Sequence, residues 1–76
     1  MSRYFLHLRD ETELLEDDEG MDFPDLISAR EYALVSAREI MADRLIRGIQ
    51  MDGQQFDITD ETGAVVDILK FKDALP

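Results

Sequence analysis

Cysteine is absent from this 76-residue sequence, and histidine occurs once, at His7. Without cysteine the chain has no disulfide framework and no thiolate metal site, and a lone histidine excludes a multi-histidine zinc site within one chain. No apolar run is long enough to span a membrane, and residues 1–5 lack the apolar core of a signal peptide. The sequence therefore predicts a soluble, cytoplasmic protein that does not act at membranes.

Several catalytic signatures are missing as well. The glycines are isolated, each at a predicted turn, so there is no glycine-rich phosphate loop. No Gly-x-Ser-x-Gly nucleophile motif occurs. Paired carboxylates act as acid and base only in a pocket that separates their pKa values, and one domain of residues 1–76 has little interior for such a pocket. We therefore predict no catalytic, cofactor-binding or metal-binding residue, and a chain that is not an enzyme.

The formal net charge of −10 is concentrated in one segment. Residues 10–25 contain nine carboxylates and no base, whereas the rest of the chain is nearly neutral. This segment repels phosphate backbones, so we expect no nucleic-acid partner. It favours instead a protein partner with a basic surface.

The segment Ser28–Gly48 is the strongest helix candidate, because it has neither proline nor internal glycine and consists mostly of good helix formers. Ser28 and Glu31 have the spacing of a capping box, which predicts that the helix begins at Ser28. Gly48 suits the left-handed residue that ends a helix. One face carries a stripe of small and apolar residues that predicts close packing on a sheet: Ala29, Ala33, Ala37, Ile40, Met41 and Leu45.

A second apolar line runs along the back of this helix through Val35, Ala42 and Ile46, with Tyr32 nearby. A surface helix of a monomer is normally polar there. Two interpretations are open. The residues are scattered surface hydrophobes, which are common, or they form a contact with a second copy or another protein.

Alternating apolar and polar residues predict extended segments on both sides of the helix. They are Arg3–Arg9, a short strand at Leu14–Leu15, a brief piece at Met21–Phe23, Phe56–Thr59, and Val65–Phe71 after a hairpin connection at Asp60–Gly63. Both faces of Val65–Phe71 carry apolar residues, so we predict a central or doubly covered strand. The fold class is α+β, with the order β-β-(β)-α-β-β: an antiparallel sheet of three to five strands with one long helix packed on one face.

In the first strand Tyr4, Leu6 and Leu8 point to one face, while Phe5 and His7 point to the other. If the helix covers the Tyr4 face, Phe5 and His7 lie on the open face of the sheet. A lone histidine on a strand is more often a packed ring than a catalyst, although it titrates near neutral pH. An exposed aromatic–histidine pair would be a recognition surface.

The acidic run does not match a calcium-binding loop. A loop of the EF-hand type needs glycine at position six and carboxylates at positions one and twelve. Placing Gly20 at six puts Leu15 and Leu26 at those two positions, so the motif fails. A weak, irregular cation site at residues 16–19 is the alternative to a solvated acidic hairpin.

Three segments together are similar to a family of short single-domain proteins of unknown function that is common in rhizobia and other alphaproteobacteria. They are the opening strand Arg3–Asp10, Pro24-Asp25-Leu26 before the alanine-spaced helix, and the hairpin Phe56–Gly63. The resemblance covers nearly the whole chain. It implies a bacterial cytoplasmic protein, and it implies no reaction, cofactor or catalytic residue.

A more distant resemblance is to HicB-type antitoxins. It depends on Phe23-Pro24-Asp25-Leu26 and on the acidic hairpin that precedes the alanine-rich helix. The resemblance implies a neutraliser of a basic, RNA-cutting toxin, since opposite potentials give fast and selective association.

The sequence thus predicts a small non-catalytic protein-binding or regulatory module. The alternatives are an antitoxin-like protein and, less favoured, an enzyme. The partner is expected to be a protein with a basic surface or a second copy of the chain. The candidate interaction surface consists of Phe5, His7, Tyr32, Val35 and Ile46.

Overall fold

The computed structural model describes residues 1–75, in which one helix covers one face of a five-stranded antiparallel sheet. The predicted α+β class and the order β-β-β-α-β-β are confirmed. The elements are β1 (Ser2–Arg9), β2 (Leu14–Leu15), β3 (Met21–Phe23), α1 (Leu26–Ile46), β4 (Gln55–Thr59), β5 (Val65–Lys70) and a 3₁₀ helix (Phe71–Ala74).

Strand β1 has neighbours on both of its edges. It pairs with β4 along residues 5–9, and the sheet order is β2-β1-β4-β5. The short strands β3 and β2 pair in succession with the beginning of β1, at residues 2–4, and with its end, at residues 8–9. Residues 5–7 of β1 lie between these two short pairings, and the loop of residues 16–20 fills that place.

The alanine stripe of α1 packs on the sheet as predicted. Ala29, Ala33 and Ala37 are fully buried, and the last two belong to one cluster with Ile58 and Leu69. Tyr4, Leu6 and Leu8 of β1 contact the same cluster. Alanine side chains are short, so the helix lies close to the strands without large side chains between them.

The predicted stripe is wrong at Leu45, which is 79% exposed. A helix of 21 residues is about 31 Å long, whereas the five residues of β4 extend only about 17 Å. The last turn of α1 therefore reaches past the sheet that it covers. Of the helices in residues 1–75, none has an apolar stretch that could cross a membrane.

Helix α1 begins earlier than predicted, and Asp25 rather than Ser28 is its N-cap. The backbone of Asp25 is extended, and its Oδ1 accepts a hydrogen bond of 2.8 Å from the Ser28 N–H. Ser28 is thus the third residue inside the helix, and the predicted capping box is wrong. Pro24 restricts the backbone of Phe23 and not that of the residues after it, so the sequence permits a helix that begins at Leu26.

We expect Asp25→Ala to lower the melting midpoint by a few degrees, because it removes the acceptor for a helix N–H. Hydrogen bonds from Ser28, the backbone bond first, hold the pKa of Asp25 below its ordinary value, so the effect should fade in acid as the carboxylate becomes protonated. Ser28→Ala is the matched control and should change the midpoint much less. If Asp25→Ala and Ser28→Ala lower the melting midpoint equally, Asp25 is not the sole N-cap and Ser28 contributes as predicted from the sequence.

The end of the helix follows the prediction. Gly48 has a φ of 71°, its N–H donates to the Leu45 carbonyl, and the Ile49 N–H donates to the Arg44 carbonyl. These two bonds satisfy carbonyls that a helix end leaves unpaired.

The prediction of a central β5 is wrong, since β5 lies at the edge of the sheet and β4 is the buried strand. The pairing of β4 with β5 shifts register beside Thr59, where Val66 is an extra, bulged residue. Phe71, predicted as the end of the last strand, instead begins the 3₁₀ helix of residues 71–74. Phe71 is buried against Phe56, with ring centroids 5.0 Å apart, and Arg38 Nε donates to the Ala74 carbonyl. Pro76 lies outside the described residues.

Candidate functional site

The face of the sheet opposite α1 carries a group of polar side chains, and we call it the open face. Strand alternation places these residues there: Phe5, His7 and Arg9 of β1, and Gln55, Asp57 and Thr59 of β4. Asp57 is 7% exposed and Thr59 is 6% exposed. Although no helix covers this face, its central polar groups are nearly removed from water.

His7 is fixed by three contacts. Its Nδ1 accepts a hydrogen bond of 3.0 Å from the backbone N–H of Asp17, and its Nε2 lies 3.2 Å from Thr59 Oγ1. Phe5 stacks parallel to the imidazole, with ring centroids 6.3 Å apart. A backbone N–H can only donate, so Nδ1 is unprotonated and Nε2 carries the proton that is donated to Thr59. The ring links β1, β4 and the loop of residues 16–20.

Asp57 is the buried anion of the open face. Burial raises its pKa, but hydrogen bonds from Arg9 Nε at 2.8 Å and Gln55 Nε2 at 2.7 Å, with the positive charge of Arg9, outweigh burial and hold the pKa of Asp57 below its ordinary value. Both carboxylate oxygens are therefore occupied by partners on the sheet itself. This geometry is typical of a structural ion pair and leaves no carboxylate oxygen free to act as an acid or a base.

Asp17 completes the edge of β1. Its Oδ2 accepts from the Leu6 N–H at 3.1 Å, and its Oδ1 accepts from the N–H groups of Glu19 and Gly20. Leu6 lies between the pairings with β2 and β3, so the carboxylate replaces the missing strand partner. The backbone of Gly20 packs directly against β1. A Cβ at this position would lie 2.8 Å from the Tyr4 carbonyl oxygen and from the Phe5 ring, so a larger residue would not fit.

We expect Asp17→Asn to lower the free energy of unfolding by about 1–3 kcal/mol near neutral pH, because one acceptor oxygen becomes an NH₂ group, which cannot accept from the backbone N–H groups that Asp17 holds. Burial raises the pKa of Asp17, but hydrogen bonds from Gly20, Leu6 and Glu19 outweigh it, and the folded pKa lies below the ordinary value. This stabilisation is complete above about pH 4 and is lost as the pH falls through the lower, folded pKa.

Urea unfolding at neutral and acidic pH measures this effect. The difference between wild type and Asp17→Asn should narrow as the pH falls. Asp18→Asn, in the same loop and exposed, is the matched control and should behave as wild type. A difference that does not vary with pH, or an equal loss for Asp18→Asn, would show that the carboxylate does not hold the loop.

The predicted surface residues divide into two groups. Phe5 and His7 are half-buried and contact each other on the open face, and Tyr32 packs on Phe23 with ring centroids 5.5 Å apart. Val35 is 51% exposed and Ile46 is 85% exposed, on the back of α1. The structure therefore does not bring the five residues into one patch. The first three have internal partners, and the last two face solvent.

The acidic loop of residues 16–19 lacks the side-chain cluster that a cation site requires. Within residues 1–75, no group of three or more His, Asp or Glu side chains is placed to hold a metal ion. The Asp17 carboxylate at the centre of residues 16–19 is already occupied by backbone N–H groups. His7 lines neither the cavity beside Met41 and Lys70 nor the cavity beside Leu8 and Arg44.

Sequence reasoning missed Asp17 and Asp57. The Asp-x-x-Gly spacing of Asp17 and Gly20 is typical of a turn in which the carboxylate accepts from the backbone, and it was a usable signal. Arg9 contacts Asp57 only because β1 pairs with β4 in one particular register. The sequence of either strand by itself does not reveal that register.

Residues 3–72 match a family described as "Domain of unknown function (DUF6894)". This chain belongs to the DUF6894 family. The match runs from β1 into the 3₁₀ helix, so it includes the open face and the whole of α1. No curated protein and no solved structure is significantly similar to the chain.

Membership in DUF6894 confirms the sequence-based expectation of an uncharacterised family that covers nearly the whole chain. It assigns no activity. The expected distribution among rhizobia and the likeness to HicB-type antitoxins stay predictions.

Proposed function

We propose that this chain is a protein-binding module without catalysis of its own, and that its partner contacts the back of α1. The observation that carries the proposal is the exposure of large apolar residues on one side of the helix. Val35, Ala42 and Ile46 lie on one line along α1, and all three are exposed. We call this line the helix back.

The helix back differs from scattered surface hydrophobes by its alignment along α1 and by its position. Residues spaced by four and seven lie above one another on a helix. Its last member, Ile46, is in the turn that extends past the sheet, next to the equally exposed Leu45. A partner can therefore approach this end of α1 from the back and from the side without meeting the sheet.

Charge favours a partner of opposite sign. Glu31 and Glu39 flank Val35 one helical turn away on either side, and within residues 1–75 neither forms an ion pair. Two copies docked through this line would bring these carboxylates together between chains that each carry −10, and like charges at an interface are costly. A basic rim on another protein would complement them. A homodimer is the alternative.

The arrangement of the open face supports a module without catalysis. The hydrogen-bond partners of His7 are Thr59 and the backbone of Asp17, and the Asp57 carboxylate is held by Arg9 and Gln55. These groups satisfy one another, which is typical of structural networks.

The test compares three immobilised baits in native extract. They are the wild type, the double variant Val35→Lys/Ile46→Lys, and a control with the same added charge, Leu15→Lys/Ile27→Lys, whose two positions are equally exposed but off the helix back. The wild type and the control should retain the same protein, and the helix-back variant should lose it. Retention by all three baits would contradict the proposal.

Sedimentation of the same three proteins separates the two kinds of partner. A wild type that is monomeric, with a captured protein that is lost on mutation, supports the basic partner. A wild-type dimer that becomes a monomer only in Val35→Lys/Ile46→Lys identifies a second copy as the partner.

A second candidate function is an antitoxin-like neutraliser of a basic toxin. It is favoured by the exposure of most of the acidic segment, namely Glu11, Glu13, Glu16, Asp18, Glu19, Asp22 and Asp25. In that case Glu16→Gln/Glu19→Gln, and not the helix-back variant, should release the captured protein, and moderate salt should do the same. The bacterial origin and the cytoplasmic location belong with this proposal as predictions.

A further inference from the structure

A cavity lies at the other end of the sheet from Phe23; Gln55 of the open face lines it, and His7 does not. It has a volume of about 350 Å³ and lies between α1, the loop before β4, and the 3₁₀ helix. Its apolar lining includes Met41, Met51, Phe71 and Leu75. We call it the lysine cavity, because Lys70 and Lys72 also line it.

The arginines and the lysines of the chain differ in their partners. Four of its arginines form ion pairs, which are Arg3–Asp22, Arg9–Asp57, Arg30–Asp67 and Arg47–Asp43. Arg38 donates to a backbone carbonyl. The chain has two lysines, both line this cavity, and neither has a carboxylate partner within residues 1–75. Arg44 also forms no ion pair within residues 1–75, but it does not line this cavity. In a chain of charge −10, both lysines therefore line one partly apolar depression.

We propose that the lysine cavity binds a small amphipathic monoanion, a carboxylate carried on a short aliphatic or aromatic body. A cavity of this volume is within the usual range for small ligands, which are mostly apolar in contact and oriented by a few polar groups. The thioethers of Met41 and Met51 adapt to irregular apolar shapes. The two ammonium groups would orient the carboxylate.

The charge of the lining sets the preferred charge of the ligand. Asp52 also lines the cavity, so two cations and one carboxylate leave one positive charge. A monoanion balances that charge, whereas a dianion such as phosphate would leave one negative charge in excess and would make no use of the apolar lining. This inference does not depend on the helix back, since Val35 and Ile46 do not line the cavity.

The experiment titrates the ¹⁵N-labelled full chain with sodium octanoate and follows its amide and methionine methyl resonances. The methyls of Met41 and Met51 and the amides of residues 70–72 should shift in a saturable way. Acetate has the charge without the body, octanol has the body without the charge, and octylammonium reverses the charge. These three probes should bind more weakly than octanoate.

Variants test the role of the lysines. Lys70→Met and Lys72→Met keep the apolar stem, and each should weaken octanoate binding by up to about fivefold, the value of an exposed ion pair. Arg47→Met removes the same charge from an exposed pair at the end of α1 and should bind as wild type. Unshifted resonances elsewhere confirm that each variant is folded.

Three results would overturn the inference. One is the absence of saturable shifts at the cavity with octanoate. The second is equal binding of octanol or octylammonium, which would mean that the lysines do not select an anion. The third is a loss of octanoate affinity in Arg47→Met as large as in the lysine variants. That result would mean that binding depends on the net charge of the chain and not on the lysines of the cavity.

Discussion

Ile58→Ala is expected to lower the free energy of unfolding by about 2–5 kcal/mol. Ile58 is fully buried in β4, the strand between β1 and β5, and it belongs to the cluster beneath Ala33 and Ala37. Its removal would leave a cavity that neighbouring alanines are too short to fill. A domain of this size has only a few kcal/mol of net stability, so the variant should be partly unfolded at room temperature.

The matched control is Ile68→Ala on the neighbouring strand. Ile68 pairs with Asp57, points to the open face and is 49% exposed. Its truncation should cost about 1 kcal/mol or less. Urea unfolding with an unchanged slope gives both values, and losses of equal size would mean that the core is not on the helix side of β4.

Ala33→Leu is expected to lower the free energy of unfolding by about 1–3 kcal/mol, although leucine is a good helix former. Ala33 is fully buried where α1 meets the sheet. Three additional carbon atoms have no room there, so the helix must move away from β4 or the side chain must adopt a poor rotamer.

Ala42→Leu supplies the control for this substitution. Ala42 is on the helix back and exposed, so the same chemical change should alter stability by about 0.5 kcal/mol or less. A tolerated Ala33→Leu would indicate a loosely seated helix, and a damaging Ala42→Leu would indicate that the helix back is covered.

The elements of this fold were predictable from local patterns. The alternation in β1, the alanine spacing of α1 and the Asp60–Gly63 turn each depend on residues close in sequence. The side chain of Asp60 indeed accepts from the Thr62 N–H, as a turn of this kind requires. Local chemistry therefore gave the element types and their order.

Properties that depend on neighbours in space were not predictable in the same way. The apolar residues Val65, Val66 and Ile68 suggested a central strand. Strand order depends instead on long-range pairing, and β5 is at the edge because β4 lies between it and β1. Asp25 and Ser28 are both good N-caps three residues apart, and the chain path set by Phe23 and Pro24 selects the first.

The candidate site shows the same division. Placing Phe5 and His7 on the face away from α1 required only the alternation of β1. The partners of His7 required two long-range facts, the register that sets β1 against Thr59 and the loop that returns Asp17 to the strand edge. The lysine cavity lies between α1 and residues 70–75. These segments are far apart in sequence, so no residue spacing predicts that they are neighbours.

Nuclear Overhauser contacts from the alanine methyl groups of α1 test most directly whether the helix rests on the sheet through its alanine stripe. The methyls of Ala33 and Ala37 should show cross-peaks to the side chains of Ile58 and Leu69, and the methyl of Ala42 should show none. Contacts from Ala42 or Val35 to Ile58, with none from Ala33, would mean that the other face of the helix is buried and that the helix back is not a free surface.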